Sequence, residues 1–242
     1  MNNSITKLVG YFLVAASIFY VAKIGSDTVL SLKLKGDLTV KGLAKQSITS
    51  DLCTFDITIF AEGPELQACY TALADSKNKV VQYLATHEVS AAEYRFEPAY
   101  VEEKHKIHPR GHELNMIEKY VLSQPITIES KDVAKIQKIS ADIVELMNEG
   151  VRLNIGRPQY FYTPLDSMKA DMIGLATENA RLRATTIAKK GGFELGPIRE
   201  VRVGVFQITP LNSTDVSDSG INDNSSINKD IKSVVEISYF IK

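Results

Sequence analysis

The hydrophobic positions of this 242-residue chain follow a strand-like period in seven segments. The clearest segment is residues 51–61, where Cys53, Phe55, Ile57 and Ile59 fall on one face and polar residues fall on the other. Alternation of apolar and polar residues is typical of a half-buried β-strand. The same pattern predicts further strands at residues 37–44, 94–106, 114–129, 152–162, 197–209 and 231–241.

Three other segments have apolar residues at every third or fourth position, which predicts helices at residues 63–87, 130–150 and 163–191. The third helix has the strongest signals, because Thr163 can cap its start and Gly191-Gly192 supply a left-handed stop. Its apolar positions form one narrow face, suited to close packing on a sheet: Met168, Met172, Ala176, Ala180, Ala184 and Ile187.

The order of these elements predicts an α+β fold, in which three helices pack on one face of a largely antiparallel sheet, preceded by an N-terminal hydrophobic helix. We expect one α+β domain at residues 36–242, after an anchor or signal segment with its tether at residues 1–35. Within the domain, fifteen of the nineteen residues 212–230 are Asn, Ser, Thr, Asp or Gly. Such a segment has little to bury, so we predict a flexible polar loop there.

The N-terminal segment contains fifteen consecutive uncharged and mostly apolar residues, residues 8–22, between Lys7 and Lys23. If the Lys23 side chain snorkels, residues 5–24 provide about 20 residues, enough to cross a bilayer once. No small-x-small cleavage site follows, which favours an uncleaved membrane anchor over a removed signal peptide. A buried first helix is the third alternative, and the few flanking lysines do not fix a membrane orientation.

Charge and motifs exclude several classes of function. The 28 Lys and Arg residues nearly balance the 29 Asp and Glu residues, so no basic field is available to hold nucleic acid non-specifically. We expect Cys53 and Cys69 to be buried, unpaired thiols, because the predicted strand and helix separate them beyond disulfide reach. The chain lacks a Gly-x-Ser-x-Gly elbow, a phosphate-binding Gly-x4-Gly-Lys loop and a His-Glu-x-x-His motif. We therefore predict no catalytic residues and no cofactor.

Three histidines, His105, His108 and His112, fall within eight residues at the tip of a predicted hairpin, next to glutamates. Imidazole and carboxylate groups suit Zn²⁺, Cu²⁺ or Ni²⁺. On an extended strand His105 and His108 point to opposite faces, so they chelate an ion only if the turn curls around it. A solvated hairpin tip is the favoured interpretation, and a weak metal site is the alternative.

Three motifs carry a resemblance to a known family. Residues 38–42 (Leu-Thr-Val-Lys-Gly) are similar to an opening Thr-Val-x-Gly strand, and residues 176–196 are similar to an Ala-Arg-x-Arg-Ala helix that ends in Gly-x-x-Leu-Gly. The third motif is the terminal strand Val-Val-Glu-Ile-Ser-Tyr at residues 234–239, after a polar loop. With these motifs the chain resembles the SIMPL-domain family of bacterial cell-envelope proteins.

The resemblance implies an exported domain that faces the periplasm, tends to oligomerise and is linked to envelope integrity and oxidative stress. It supplies no catalytic residues. We therefore expect a non-enzymatic envelope protein, held at the membrane by its N-terminal segment, that acts through homo-oligomers or through a protein partner that the sequence does not identify. The alternative is a metal-binding or redox-protective protein that uses His105, His108 and His112.

Overall fold

The computed structural model of the chain describes residues 12–26 and 36–242. Two compact units emerge from the contacts between residues. Among the described residues, unit 1 consists of residues 12–26, 36–44, 169–205 and 232–242, and unit 2 consists of residues 45–168 and 206–231.

The described residues form four α-helices, one short 3-10 helix and eleven strands, joined by loops. In chain order they are α1 (residues 12–26), β1 (Asp37–Thr49), β2 (Leu52–Gly63), α2 (Leu66–Thr86), β3 (Tyr94–Phe96), β4 (Tyr100–Ile107), β5 (Glu113–Ser130), α3 (Val133–Asp142), the 3-10 helix (Ile143–Met147), β6 (Arg152–Ile155), β7 (Gln159–Phe161), α4 (Leu165–Gly191), β8 (Leu195–Val203), β9 (Gln207–Pro210), β10 (Ile221–Asn222) and β11 (Asn228–Ile241).

The predicted membrane anchor lies only partly within the described residues. Helix α1 covers residues 12–26, whereas residues 1–11 and the tether at residues 27–35 lie outside the described ranges. Among the helices that the structure describes, none has both the length and the apolar character needed to cross a bilayer.

Unit 2 is built on a six-stranded sheet with the order β3-β5-β2-β6, in which β4 also pairs with β5 and β7 with β2. Its long central pair, β2 and β5, is antiparallel from Cys53 opposite Ser130 to Gly63 opposite Tyr120. The predicted apolar face of β2 is confirmed, because its residues are fully buried together with apolar residues of α2 and α3. This core includes Phe55, Ile57, Ile59, Leu73, Val80, Leu84, Ile136 and Ile139.

Unit 1 contains the first part of β1, most of α4, strand β8 and the end of β11. Helix α4 buries one residue in every four along a narrow stripe: Met172, Ala176, Ala180, Ala184 and Ala188. A Cβ atom on Gly42 of β1 would lie 2.0 Å from the Ala176 carbonyl oxygen and 2.5 Å from the Ala180 nitrogen. Only glycine therefore permits this close approach between strand and helix.

The α+β class is confirmed, but the single sheet is wrong. A second, five-stranded sheet has the order β1-β11-β9-β10, with β8 also paired to β11. The three helices predicted on one face cover the residues of α2, α3 and α4, but α2 and α3 belong to unit 2 and most of α4 belongs to unit 1. The second predicted helix is divided into α3 and the 3-10 helix. The apolar period shows which face of a strand is buried but does not specify which sheet the strand joins.

The polar segment at residues 212–230 contains regular structure and buried contacts. It includes β10 and the first residues of β11. The Asp230 carboxylate, whose side chain is fully buried, accepts hydrogen bonds from Lys45 Nζ, the Ser47 hydroxyl and the Asn212 N–H, each at 2.8 Å. Side chains that have no apolar surface to bury thus hold this segment through hydrogen bonds.

Candidate functional site

Strand β8 of unit 1 combines a β-rich sequence with an exposed surface. All seven residues 197–203 are exposed. Three of them are large and apolar, and Ile198, Val201 and Val203 leave 54, 48 and 49% of their surface accessible. In the described part of the chain, β8 pairs only with β11. An uncovered strand edge that carries apolar side chains is a template for pairing with another chain.

The hydrogen-bond register shows which backbone groups of β8 point outward. The Gly204 N–H donates to the Val234 carbonyl oxygen at 2.9 Å, and Arg202 then lies opposite Glu236. Because residues of an antiparallel strand direct their N–H and C=O groups alternately to the two sides, Arg202 points these groups toward β11. Val201 points them away from β11, as does Val203. We call this outward side of Leu195–Val203 the β8 edge.

The two faces of β8 differ in chemistry. Val201 lies opposite Ile237 in the pairing with β11, and Ile237 is fully buried. Glu200 and Arg202 lie on the other face, where the Arg202 Nε lies 2.7 Å from the Glu200 carboxylate. The strand therefore presents an apolar face and a face with both charges.

The outer edge of β1 is capped by side chains of α4. The Leu43 N–H donates to the Asn179 side-chain oxygen at 3.1 Å, and the Arg183 guanidinium donates to the Lys41 carbonyl oxygen at 2.9 Å. An open groove of about 480 Å³ lies beside these contacts. We call it the β1–α4 groove, and it is lined by Thr39, Val40, Lys41, Leu182, Arg183, Thr186 and Ile187.

The three histidines of the predicted metal site lie on the β4–β5 hairpin. The His108 N–H donates to the His112 carbonyl oxygen at 2.9 Å, and their rings stack with centroids 4.5 Å apart. His108 Nδ1 accepts from the Arg110 N–H at 3.1 Å. His105 precedes the turn, on β4 opposite Ile117. In residues 12–26 and 36–242, no group of three or more His, Cys, Asp or Glu residues is arranged to hold a metal ion. Metal binding here stays a prediction.

The two cysteines are confirmed as buried, unpaired thiols. Burial raises the pKa of Cys53 to about 11, so this thiol is protonated near neutral pH. The Cys69 sulfur lies 3.9 Å from the Tyr120 carbonyl oxygen in the core of unit 2.

Our sequence reasoning missed a buried charged site in unit 2. Lys229 is 2% exposed, and its Nζ donates to the carbonyl oxygens of Tyr160 at 2.6 Å and Asp223 at 2.5 Å. Burial lowers the pKa of Lys229, and the nearby charge of Asp223 partly offsets this effect. The polar composition of residues 212–230 gives no sign that Lys229 and the adjacent Asp230 are buried.

The uncovered state of β8 was also missed, although residues 197–209 were predicted as a strand. The available signal was a charge on each alternating face of the sequence, because strict alternation puts Arg199 on the face of Val201 and puts Glu200 on the face of Arg202. Such a strand does not show the one-sided pattern that packing against a core requires.

Comparison with protein families identifies the chain. A model of the SIMPL domain, described as a protein of unknown function (DUF541), matches residues 38–232. Because the match covers most of the sequence, this protein belongs to the SIMPL-domain family, which confirms the resemblance carried by the three motifs. A search of curated proteins finds no match.

Proposed function

We propose that this SIMPL-domain protein is a non-enzymatic interaction module of the cell envelope that associates with itself through unit 1. The observation that carries the proposal is the β8 edge, where exposed apolar side chains accompany outward N–H and C=O groups. The apolar segment at residues 8–22 and the resemblance to envelope proteins support export and anchoring at the membrane, with the domain on the periplasmic side.

Association at the β8 edge has a clear physical benefit. Pairing with another strand covers part of the exposed Val201 and Val203 side-chain surface, and burial of apolar surface contributes roughly 25 cal/mol per Å². The outward backbone groups exchange water for ladder hydrogen bonds at the same time. The β1 edge gains less, because Asn179 and Arg183 already bond to its backbone.

Light scattering of the full chain, purified in mild detergent and corrected for bound detergent, tests the proposal. We expect a dimer or larger assembly at tens of micromolar protein, and a strictly monomeric protein would contradict the proposal. Val201→Lys should shift the mass to the monomer, because a lysine on an edge strand opposes pairing. Val144→Lys is the matched control in unit 2, because Val144 is also 48% exposed, and it should keep the parent mass.

The proposed location has a separate test. Mass spectrometry of the mature N-terminus, combined with protease accessibility in intact cells, distinguishes an anchor from a cleaved signal. Retention of the N-terminal residues in the membrane fraction supports the anchor, whereas a new terminus near Lys23 supports export by cleavage. A full-length protein dissolved in the cytoplasm would contradict both forms of the proposal.

A further inference from the structure

We propose that two copies of this chain pair β8 with β8 in antiparallel orientation, with Val201 opposite Val201 of the second copy. This inference rests on the proposed self-association and specifies its interface, its symmetry and its register. The two copies would be related by a twofold axis, which makes the contact self-complementary and closes the assembly as a dimer.

The backbone of β8 supplies the required hydrogen-bonding groups. Val201 and Val203 direct their N–H and C=O groups away from β11, as the Gly204 to Val234 bond and the register of the pair establish. With the twofold axis at Val201, the N–H of each Val201 donates to the carbonyl oxygen of the other. The backbone N–H and C=O groups of Val203 then pair with backbone groups at Arg199 of the second copy.

The charges of β8 select this register. With Val201 opposite itself, Arg202 of each copy lies opposite Glu200 of the other, so the dimer contains two pairs of opposite charges. A shift of the pairing by two residues in one direction places Glu200 opposite Glu200, and a shift in the other direction places Arg202 opposite Arg202. Directly opposed like charges destabilise a strand pair, whereas opposite charges stabilise it.

A second copy of β8 is a better occupant than the edge of β1. On β1, the Lys41 carbonyl and the Leu43 N–H already bond to Arg183 and Asn179 of the same chain. A strand that enters the β1–α4 groove would have to displace these contacts. Among the described residues, no side chain forms a hydrogen bond to the outward backbone groups of the β8 edge.

Cysteine cross-linking of the full chain tests the register. Val201→Cys places two thiols on directly opposed residues, whose Cα atoms are about 5.5 Å apart in a hydrogen-bonded pair, within disulfide reach. Val203→Cys is the matched control, with nearly equal exposure and its outward groups on the same side. The twofold axis separates the two copies of residue 203 by four residues along the strand, or ~13 Å.

Under mild oxidation, we expect Val201→Cys to form a covalent dimer about tenfold faster than Val203→Cys, because only its Cα separation suits a disulfide. The native Cys53 and Cys69 are buried and should not contribute. Equal rates for the two variants, or faster cross-linking of Val203→Cys, would overturn the register. Efficient cross-linking of Val201→Cys to a Thr39→Cys copy would instead place β8 in the β1–α4 groove.

Light scattering of the parent chain distinguishes a failure of the β8 pairing from a failure of the proposed self-association. A parent that is dimeric while Val201→Cys does not cross-link means that self-association stands and the β8 pairing is wrong. A parent that is monomeric, with no cross-linking by either variant, overturns the proposed function and this inference together.

Discussion

Asp230 illustrates how a single residue organises the polar segment of unit 2. Burial alone would raise the pKa of its carboxyl group, but the Lys45 ammonium, the Asn212 N–H and the Ser47 hydroxyl outweigh burial and lower the pKa to about 2. The group is therefore ionised near neutral pH. Its three partners come from β1 and from the start of the polar segment, so one carboxylate links parts of the chain that are distant in sequence.

Replacement of Asp230 by Asn should lower the free energy of unfolding by about 2 kcal/mol near neutral pH, because the folded pKa lies below the ordinary value of 3.8. This contribution is complete above about pH 4 and is lost as the pH falls toward about 2, where the carboxyl group becomes protonated in the folded state. Urea unfolding of the parent and of Asp230→Asn should therefore give stabilities that converge between these pH values.

The exposed Asp218 of the same segment provides the control for this prediction. Asp218→Asn should change the free energy of unfolding by less than about 0.5 kcal/mol, as expected for a surface substitution. Equal losses for the two variants, or a difference from the parent that does not depend on pH, would contradict the role assigned to Asp230.

The contrast between Cys53 and Lys229 shows which residue properties the sequence could predict. The burial of Cys53 followed from its place on the apolar face of a regular strand. The burial of Lys229 depends on the Tyr160 carbonyl oxygen, a partner 69 positions away in the chain. Thr163 is a similar case, because the predicted helix cap uses its hydroxyl to donate to Asp51 at 2.6 Å. Local patterns carry no information about such distant partners.

At the scale of elements, the contact between β1 and α4 depends on small residues on both sides. Gly42→Ala should destabilise the protein by about 3 kcal/mol, because the new Cβ would overlap backbone atoms of Ala176 and Ala180, which belong to a regular helix and cannot move aside. Urea unfolding followed by circular dichroism measures this loss.

Gly174→Ala, within α4, is the matched control because no atom lies within 4 Å of the added Cβ. It should stabilise the protein by up to about 1 kcal/mol, as alanine favours the helix over glycine. If Gly42→Ala proved as stable as the parent, the close approach of strand and helix would not occur in solution.

The positions of the helices and strands were largely predictable from the sequence, whereas the neighbouring strand or helix that each one packs against was not. The predicted helix at residues 163–191 closely matches α4, and the predicted strand at residues 51–61 closely matches β2, since both have a sustained period and clear end signals. The strand predicted at residues 197–209 is divided into β8 and β9 by a break at residues 204–206. A continuous β-rich sequence gives no sign of where a strand leaves its neighbour.

At the scale of the whole molecule, the motifs that identify the SIMPL family are sites of close packing. Gly42 ends the first motif, and Ala176 and Ala180 lie in the second, and these three residues meet in unit 1. Family membership could therefore be predicted from the sequence, because such packing requires particular small residues. The surface that we propose for self-association has no comparable signature, since exposed positions tolerate many residues.

Two charge-reversed variants of the full chain, Glu200→Arg and Arg202→Glu, test the central claim that β8 joins two copies. In either variant alone, the paired positions carry like charges, so light scattering should show a monomer. In an equal mixture, the positive strand of one variant meets the negative strand of the other, and the mass should return to that of the parent dimer. A parent-like mass for each variant alone, or a mixture that stays monomeric, would contradict the pairing of β8 with β8.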